Sequence, residues 1–271
     1  MSILEAIILG IVQGATEFLP VSSSGHLVLV PYLLKMAEPG LAMIAIVHEG
    51  TLLAVLIYFR RDIWEIALGV LDGLRRRQPL ATAESRLGWF IVLGSIPAAV
   101  AGLLLQSFFE EVFGAPAVVA GFLLVTAVLL FIGERLLSGK KALTNITWLD
   151  ALIIGVFQMF ALFPGVSRSG STITAGLIRG FDRETAARFS FLLGIPAILG
   201  AGLLAVLDIL KAGNLASEWP MLLVGFLAAA VSGYACIHFL LTWLKERNLY
   251  IFVVYVVLFS AASFLVIALR G

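Results

Sequence analysis

The sequence predicts an all-α polytopic integral membrane protein, and three observations carry that reading. Hydrophobic residues make up 61% of the 271-residue chain and charged residues only 13%, against about 25% charged in a soluble domain. The mean hydropathy is +1.07, and several runs approach the roughly 20 apolar residues with which a helix crosses a bilayer. No part of the chain shows the short alternating segments of a transmembrane β-barrel. The same composition narrows the function classes. Basic residues sit in short clusters beside apolar runs, as topology signals do, so nucleic acid is not expected as a partner. The single Cys236 excludes an internal disulfide and reads as inert packing. No removable signal peptide is expected, because a basic leader region and a small-residue cleavage site are missing. No polar stretch is long enough for a soluble domain. The chain is read as one membrane domain, 1–271.

In order along the chain, residues 2–19 form an apolar segment interrupted by Gln13 and Glu17. A polar turn follows, Pro20-Val21-Ser22-Ser23-Ser24-Gly25-His26, then a short apolar run to about Leu34. A hydrophobic helix is expected over 41–59, containing His48, Glu49 and Gly50 near its start. The stretch 60–86 reads as a highly charged loop with Arg60, Arg61, Arg75, Arg76, Arg77 and Arg86. Spans at 87–105 and 116–133 flank a connection that holds Glu110 and Glu111 but no Lys or Arg. Arg135, Lys140 and Lys141 follow. Residues 148–163 are apolar and run into Pro164-Gly165-Val166-Ser167-Arg168-Ser169-Gly170-Ser171-Thr172. A short run, 173–178, ends at Arg179, Arg183 and Arg188. Spans at 189–207, 220–242 and 250–269 complete the chain, with Lys245 and Arg247 between the last two.

Basic loops stay cytoplasmic, which puts 60–86, 134–147, 179–188 and 243–249 inside and 106–115 outside. Segment 148–178 then starts and ends inside, so it is not one crossing. It reads as a re-entrant helical hairpin with its tip at Pro164 to Thr172, where Pro and Gly suit a break. Residues 2–35 read as a second hairpin, entering from outside, with its tip at Pro20 to His26. An internal repeat points the same way. Gly10-Ile11-Val12-Gln13 matches Gly155-Val156-Phe157-Gln158, and without a gap Val21–Gly25 falls on Val166–Gly170. The expected architecture is an inverted repeat, about 1–135 and 148–271, each half one re-entrant hairpin plus three transmembrane helices. Such repeats hold sites near the midplane, where broken helices present their ends to a ligand. The two tips are therefore expected to face each other.

Gln13 and Glu17 are four residues apart and share a helix face. A carboxylate at membrane depth marks a functional site by default; its bland alternative is a packing ion pair. Ser22, Ser23 and Ser24 suit helix capping, but three serines exceed what one cap needs, so one is a candidate nucleophile or phosphate ligand. His26 titrates near neutral pH and suits acid–base work. Arg168 supplies a permanent forked cation, the group best matched to phosphate. Ser167, Ser169 and Thr172 add hydroxyls, and the helix start after Gly170 adds free N–H groups. The structural alternative pairs Arg168 with Glu17 as a bridge, and the two readings can coexist. Together these residues describe a phosphate site with a carboxylate and an imidazole beside it. A ligand with a phosphate head and a long lipid tail fits.

The two stretches, Gln13-xxx-Glu17 running into Phe18-Leu19-Pro20-Val21-Ser22-Ser23-Ser24-Gly25-His26, and Pro164 to Thr172, resemble the signature motifs of the undecaprenyl-pyrophosphate phosphatase family of the bacitracin-resistance type. The resemblance covers essentially the whole chain. It implies hydrolysis of undecaprenyl pyrophosphate to undecaprenyl phosphate and inorganic phosphate, which recycles the lipid carrier for peptidoglycan synthesis. It implies a divalent cation, Mg2+ or Ca2+, a multi-pass place in the bacterial plasma (inner) membrane, and a pocket opening to the outer face. The polyprenyl pyrophosphate and membrane lipids are the implied partners; oligomeric state is open, a homodimer included. The family's functional positions fall on Glu17, Ser23, His26 and Arg168, with Gln13, Ser22, Ser24, Ser167, Ser169 and Thr172 as substrate-binding candidates. Glu17 is the candidate metal ligand. The family's motif accepts Glu or Gln at position 13, and Gln13 leaves one carboxylate fewer. Glu49, beside His48, is an unexpected acid at the start of the first full span; Glu49 or His48 is a candidate to supplement the site, and a hydrated residue at the membrane surface is the alternative. Ser24-Gly25-His26 and Ser167-Arg168 also echo the acid-phosphatase type of lipid phosphatase. That type needs a histidine after the Ser-Arg motif, and the next one here, His238, is expected to be buried in a distant span. The competing function is a lipid-phosphate transporter or flippase, since inverted repeats with broken helices are also a transporter architecture.

Overall fold

A computed structural model of the chain describes every residue except 106–114, 138, 213–214 and 271, and the side chains of all but these and 203–212 and 215–218. The described residues form eleven α-helices, one short 3-10 turn at Leu143–Asn145 and no strand. The expected outer connection with Glu110 and Glu111 lies outside the described residues.

The first hairpin is α1 (Ile3–Phe18) and α2 (Ser23–Leu34). A capping box opens α1: Ser2 Oγ accepts from the Glu5 amide, and the Glu5 carboxylate accepts from the Ser2 amide. Pro20 follows where the helix stops. A long apolar helix α3 (Leu41–Tyr58) comes next, and then α4 (Arg60–Arg75). The reading of 60–86 as a loop is therefore corrected. Its arginines hid an amphipathic helix: Ile63 and Ile66 pack on the core, while Trp64, Leu68 and Leu71 are exposed. Helices α5 (Ala83–Leu104) and α6 (Pro116–Leu136) complete the first part. The second hairpin is α7 (Trp148–Phe160) and α8 (Arg168–Ile178), followed by α9 (Arg183–Ala212), α10 (Leu215–Leu244) and α11 (Tyr250–Arg270).

Among the described residues, six helices are long and apolar enough to cross a membrane: Leu41–Tyr58, Ala83–Leu104, Pro116–Leu136, Arg183–Gly202, Trp219–Leu244 and Tyr250–Arg270. They fall on the six expected spans, and the protein is a multi-pass membrane protein. The fourth begins at Arg183 rather than 189, because the polar residues Arg183 and Glu184 form its first turn. The hairpin helices are shorter, 16 and 12 residues in the first and 13 and 11 in the second. Outward-facing leucines, valines and isoleucines such as Val92, Ile96, Val128 and Leu265 are exposed, as lipid-facing positions are.

Helix α8 lies inside the bundle, whereas α1 and α7 keep an outward face, with Ile11 and Phe160 exposed. Every residue of α8 from Ser169 to Leu177 is buried, so its broken backbone is sheltered by protein, which is what non-helical chain at membrane depth requires. Small residues let the first hairpin approach α10 closely. A Cβ on Gly14 would fall 2.0 Å from Ser232 Oγ and 2.4 Å from the Ala229 carbonyl oxygen, so only glycine permits this crossing.

Candidate functional site at the hairpin tips

Each tip is shaped by a serine cap. Ser22 takes a left-handed φ of 73°, and its Oγ accepts from the Gly25 amide at 3.2 Å. Ser167 Oγ accepts from the Gly170 amide at 3.0 Å. These bonds satisfy donors that a helix start leaves open. The tips touch each other: the Gly165 amide donates to Ser24 Oγ at 3.4 Å, and Ser169 Oγ donates to the Leu19 carbonyl at 3.1 Å. Thr126 of α6 braces the second tip from behind. Its Oγ1 donates to the Gly165 carbonyl at 2.9 Å and accepts from the Ser167 amide at 2.8 Å.

Glu17 is the centre of this junction. The last turn of α1 carries it, buried, to the point where the tips meet. Its Oε1 accepts from Arg168 Nη2 at 2.7 Å. Its Oε2 accepts from Ser23 Oγ at 2.5 Å and from Gln13 Nε2 at 3.0 Å, with His48 Nε2 at 3.9 Å. The other arm of the Arg168 fork, Nη1, donates to the Ser190 carbonyl of α9 at 3.1 Å. Gly194 makes room for the fork, since a Cβ there would lie 2.5–2.8 Å from the guanidinium atoms. A buried carboxylate and a half-buried guanidinium are costly apart, and their short, hydrogen-bonded contact offsets that cost.

The sequence-derived candidates thus separate by position. Glu17, Ser23, Arg168 and Gln13 form one connected cluster. Ser22 and Ser167 cap their helices, and each is also within reach of a neighbouring serine: Ser22 and Ser24 at 3.3 Å, Ser167 and Ser169 at 3.2 Å. Thr172 Oγ1 donates to the Arg168 carbonyl at 2.8 Å and pairs with Ser190 Oγ at 2.6 Å. His26 points elsewhere. Its Nδ1 donates to the Ser22 carbonyl at 2.7 Å, and Nε2 lies 2.9 Å from the Tyr255 hydroxyl. Its ring stacks on Phe259 of α11, with centroids 4.3 Å apart. With Nδ1 carrying the proton, Nε2 of the neutral ring accepts from Tyr255. His48 donates from Nδ1 to the Ile44 carbonyl at 2.7 Å. The Glu49 side chain lies against Gly202 of α9, and its Oε1 is buried without a hydrogen-bond partner. His238 is exposed rather than buried, with Nδ1 3.4 Å from the Tyr58 hydroxyl; it sits on a face of α10 that turns outward.

Four partners escape a motif-based reading: Thr126, Ser190, Gly194 and Tyr255. The first two carry a usable signal, because polar side chains within apolar spans seldom lack a role. Gly194 and Tyr255 carry none in the sequence alone.

Among the described residues, no group of three or more His, Cys, Asp or Glu is arranged to hold a metal ion. One observation nevertheless suits a hard cation. Gln13 is fully buried, and its Oε1 has no hydrogen-bond partner, although its amide nitrogen is bound to Glu17. A carboxylate, an amide oxygen and the oxygens of a phosphorylated ligand make an oxygen-only set of the kind Mg2+ and Ca2+ take.

Known proteins bear on this geometry. The family model described as "Bacitracin resistance protein BacA" matches residues 6–262. A protein named undecaprenyl-diphosphatase from Myxococcus xanthus is 46% identical over 255 residues, covering 94% of this chain and 86% of that relative. One of the same name from Thermomicrobium roseum is 44% identical over 275 residues, covering 99% of both chains. Another, from Alteromonas mediterranea, is 45% identical over 256 residues, covering 94% of this chain and 95% of its own.

Proposed function

The chain belongs to the bacitracin resistance protein BacA family, and from that premise we propose that it hydrolyses undecaprenyl pyrophosphate to undecaprenyl phosphate and inorganic phosphate. This recycles the lipid carrier for peptidoglycan synthesis. The observation that supports it best is the junction itself: Arg168 of one hairpin bonded to Glu17 of the other at 2.7 Å, with Ser23 Oγ 2.5 Å from the same carboxylate. The relatives named undecaprenyl-diphosphatase agree with a phosphatase, and nothing in the site favours the transporter reading over it.

In this reading Arg168, with the backbone amides at the start of α8, receives the pyrophosphate and stabilises the charge that develops on it. Ser23 is the nucleophile and Glu17 its base. Glu17 takes the hydroxyl proton as Oγ attacks the terminal phosphorus. The bond from that phosphorus to the bridging oxygen breaks, and undecaprenyl phosphate leaves with the electron pair and the proton from Glu17. Water, deprotonated by Glu17, then releases inorganic phosphate and Ser23 regains a proton. His26 shares the acid–base work only from Nε2, once Tyr255 has let it go. Ser22, Ser24, Ser167, Ser169 and Thr172 hold the two tips in register for the substrate. Direct attack by water uses the same base, and trapping a phosphoserine separates the two routes. A divalent cation, Mg2+ or Ca2+, would be held by Glu17 and Gln13 and would neutralise pyrophosphate charge. Glu49 is an outlying contributor to it; an unchanged metal response in Glu49→Gln removes it from the set.

We read the chain as an inverted repeat, about 1–135 and 148–271, with one hairpin in each half, supported by the matching caps Ser22–Gly25 and Ser167–Gly170. We read the protein as lying in the bacterial inner membrane with its site opening outward, a reading that membership of a bacitracin-resistance family supports. The deciding experiment measures phosphate release from a prenyl pyrophosphate by purified protein in detergent. Turnover by wild type and its loss in Arg168→Ala and Glu17→Ala support the reading. A wild type that binds but never releases phosphate overturns it in favour of transport.

A further inference from the structure

Behind the second tip lies a cavity of about 300 Å3 that the chemistry above does not use. It is walled by Phe122 and Val125 of α6, Phe157 and Phe160 of α7, Phe163 of the turn, and Ser171 of α8. Its two ends differ. Val125 and Phe160 are exposed on outward faces of their helices, so the mouth opens where lipid lies. Val166 and Ser171 form the inner end; both are buried, and they flank the turn that carries Arg168. Ser171 is the one polar residue of the lining. It is 1% exposed, and its hydroxyl has no hydrogen-bond partner. An unpaired hydroxyl facing an apolar void is unfavourable unless something fills the void and accepts from it.

These features suit an amphiphile: a polar atom at Ser171, three residues along α8 from Arg168, an apolar wall of four aromatic rings, and an exit where lipid lies. We propose that this cavity seats the first isoprene units of the substrate's polyprenyl chain, with the oxygen that links chain to phosphate near the Ser171 hydroxyl. The assignment rests on the reading of the protein as a prenyl pyrophosphate phosphatase. Size limits what enters. Ligand pockets span roughly 300–1,000 Å3, so this one takes a short segment and leaves the remainder of a long chain in the membrane. Selectivity for chain length should therefore saturate after a few isoprene units.

Two measurements test this. The first compares wild type with Val125→Trp, which narrows the mouth and touches no residue of the Glu17–Arg168 cluster. The substrates are undecaprenyl, farnesyl and methyl diphosphate in detergent. The expected result is about a tenfold loss of kcat/KM for both prenyl substrates, with methyl diphosphate unchanged. Equal effects on all three, or none on any, overturn the proposal. The second needs no variant: farnesyl diphosphate with a photoreactive group on its first isoprene is crosslinked to wild type. Attachment to Phe122, Phe157 or Phe160 that excess undecaprenyl diphosphate suppresses supports the seat. Attachment elsewhere, or attachment that a bilayer phospholipid suppresses equally well, overturns it. A wild type that hydrolyses none of the three diphosphates refutes the phosphatase reading itself, an outcome distinct from turnover without a tail effect.

Discussion

At the scale of single residues, Glu17 gathers four groups that the sequence scatters: Gln13 and Ser23 from nearby, His48 from α3, and Arg168 from 151 positions away. Its two oxygens divide the labour, with Oε1 on the cation and Oε2 on the hydroxyl. Ser23→Ala removes only the hydroxyl and leaves the ion pair in place. If Ser23 is the nucleophile, turnover falls by about 10² or more while the thermal midpoint stays near wild type; retained turnover assigns the attack to water. Gly194→Ala tests the cation from the other side. The added Cβ would lie 2.5–2.8 Å from the Arg168 guanidinium, so the fork must move off Glu17. Misplacement by about 1 Å costs on the order of 10²-fold in rate. We expect kcat to drop while Gly200→Ala, where a Cβ meets nothing within 4 Å, leaves it unchanged. Similar activity in both variants would mean that Arg168 needs no fixed seat.

At the scale of elements, the second hairpin is clasped at its base by Asp150. This fully buried carboxylate accepts from the Thr147 amide at 2.8 Å, from Thr147 Oγ1 at 2.7 Å and from Arg179 Nε at 2.8 Å, and it pairs with Lys141. It thus ties the start of α7 to the end of α8 and to the preceding loop. Asp150→Ala leaves two cations without their partner, and the expected loss is about 3 kcal/mol. Ser2→Ala, which removes only the cap of α1, should cost about 1 kcal/mol. Thermal unfolding in detergent ranks the two, and equal midpoints would show that the clasp contributes little. The six spans and both hairpin tips were legible because apolar length, prolines, glycines and basic clusters are local signals. Helix α4 was not, because its arginines obscured a face made by Ile63 and Ile66. In the site, Glu17 and Arg168 stood out as charged groups in apolar surroundings, whereas Ser23 was distinguished from Ser22 and Ser24 only by the family resemblance. The orientation of His26 toward Tyr255 could not be read, since α11 meets α2 only through the folded chain.

At the scale of the whole molecule, the site exists only because two hairpins meet at their tips, and in the proposed inverted repeat they start from opposite faces. The loop charges support that assignment: basic 60–86, 134–147 and 243–249 are expected inside, and the loop between α2 and α3 is then expected outside. The ion pairs agree with a single basic face, since Arg188 of α9 reaches Asp62 of α4 at 2.5 Å and Arg183 reaches Glu134 of α6 at 2.9 Å. Glu38 and Lys140, exposed near the bases of the first and second hairpins, are suited to report sidedness. In a Cys236→Ser background, Glu38→Cys should react with a membrane-impermeant maleimide on intact cells. Lys140→Cys should react only after the membrane is opened, and Arg77→Cys, just past α4, should behave like Lys140→Cys. A cysteine at 38 and one at 140 that label from the same side would place both hairpins on one face. Glu17 and Arg168 would then approach in parallel rather than tip to tip, and the halves would not be inverted copies. The test is independent of activity, because it reads only where the chain enters and leaves the membrane.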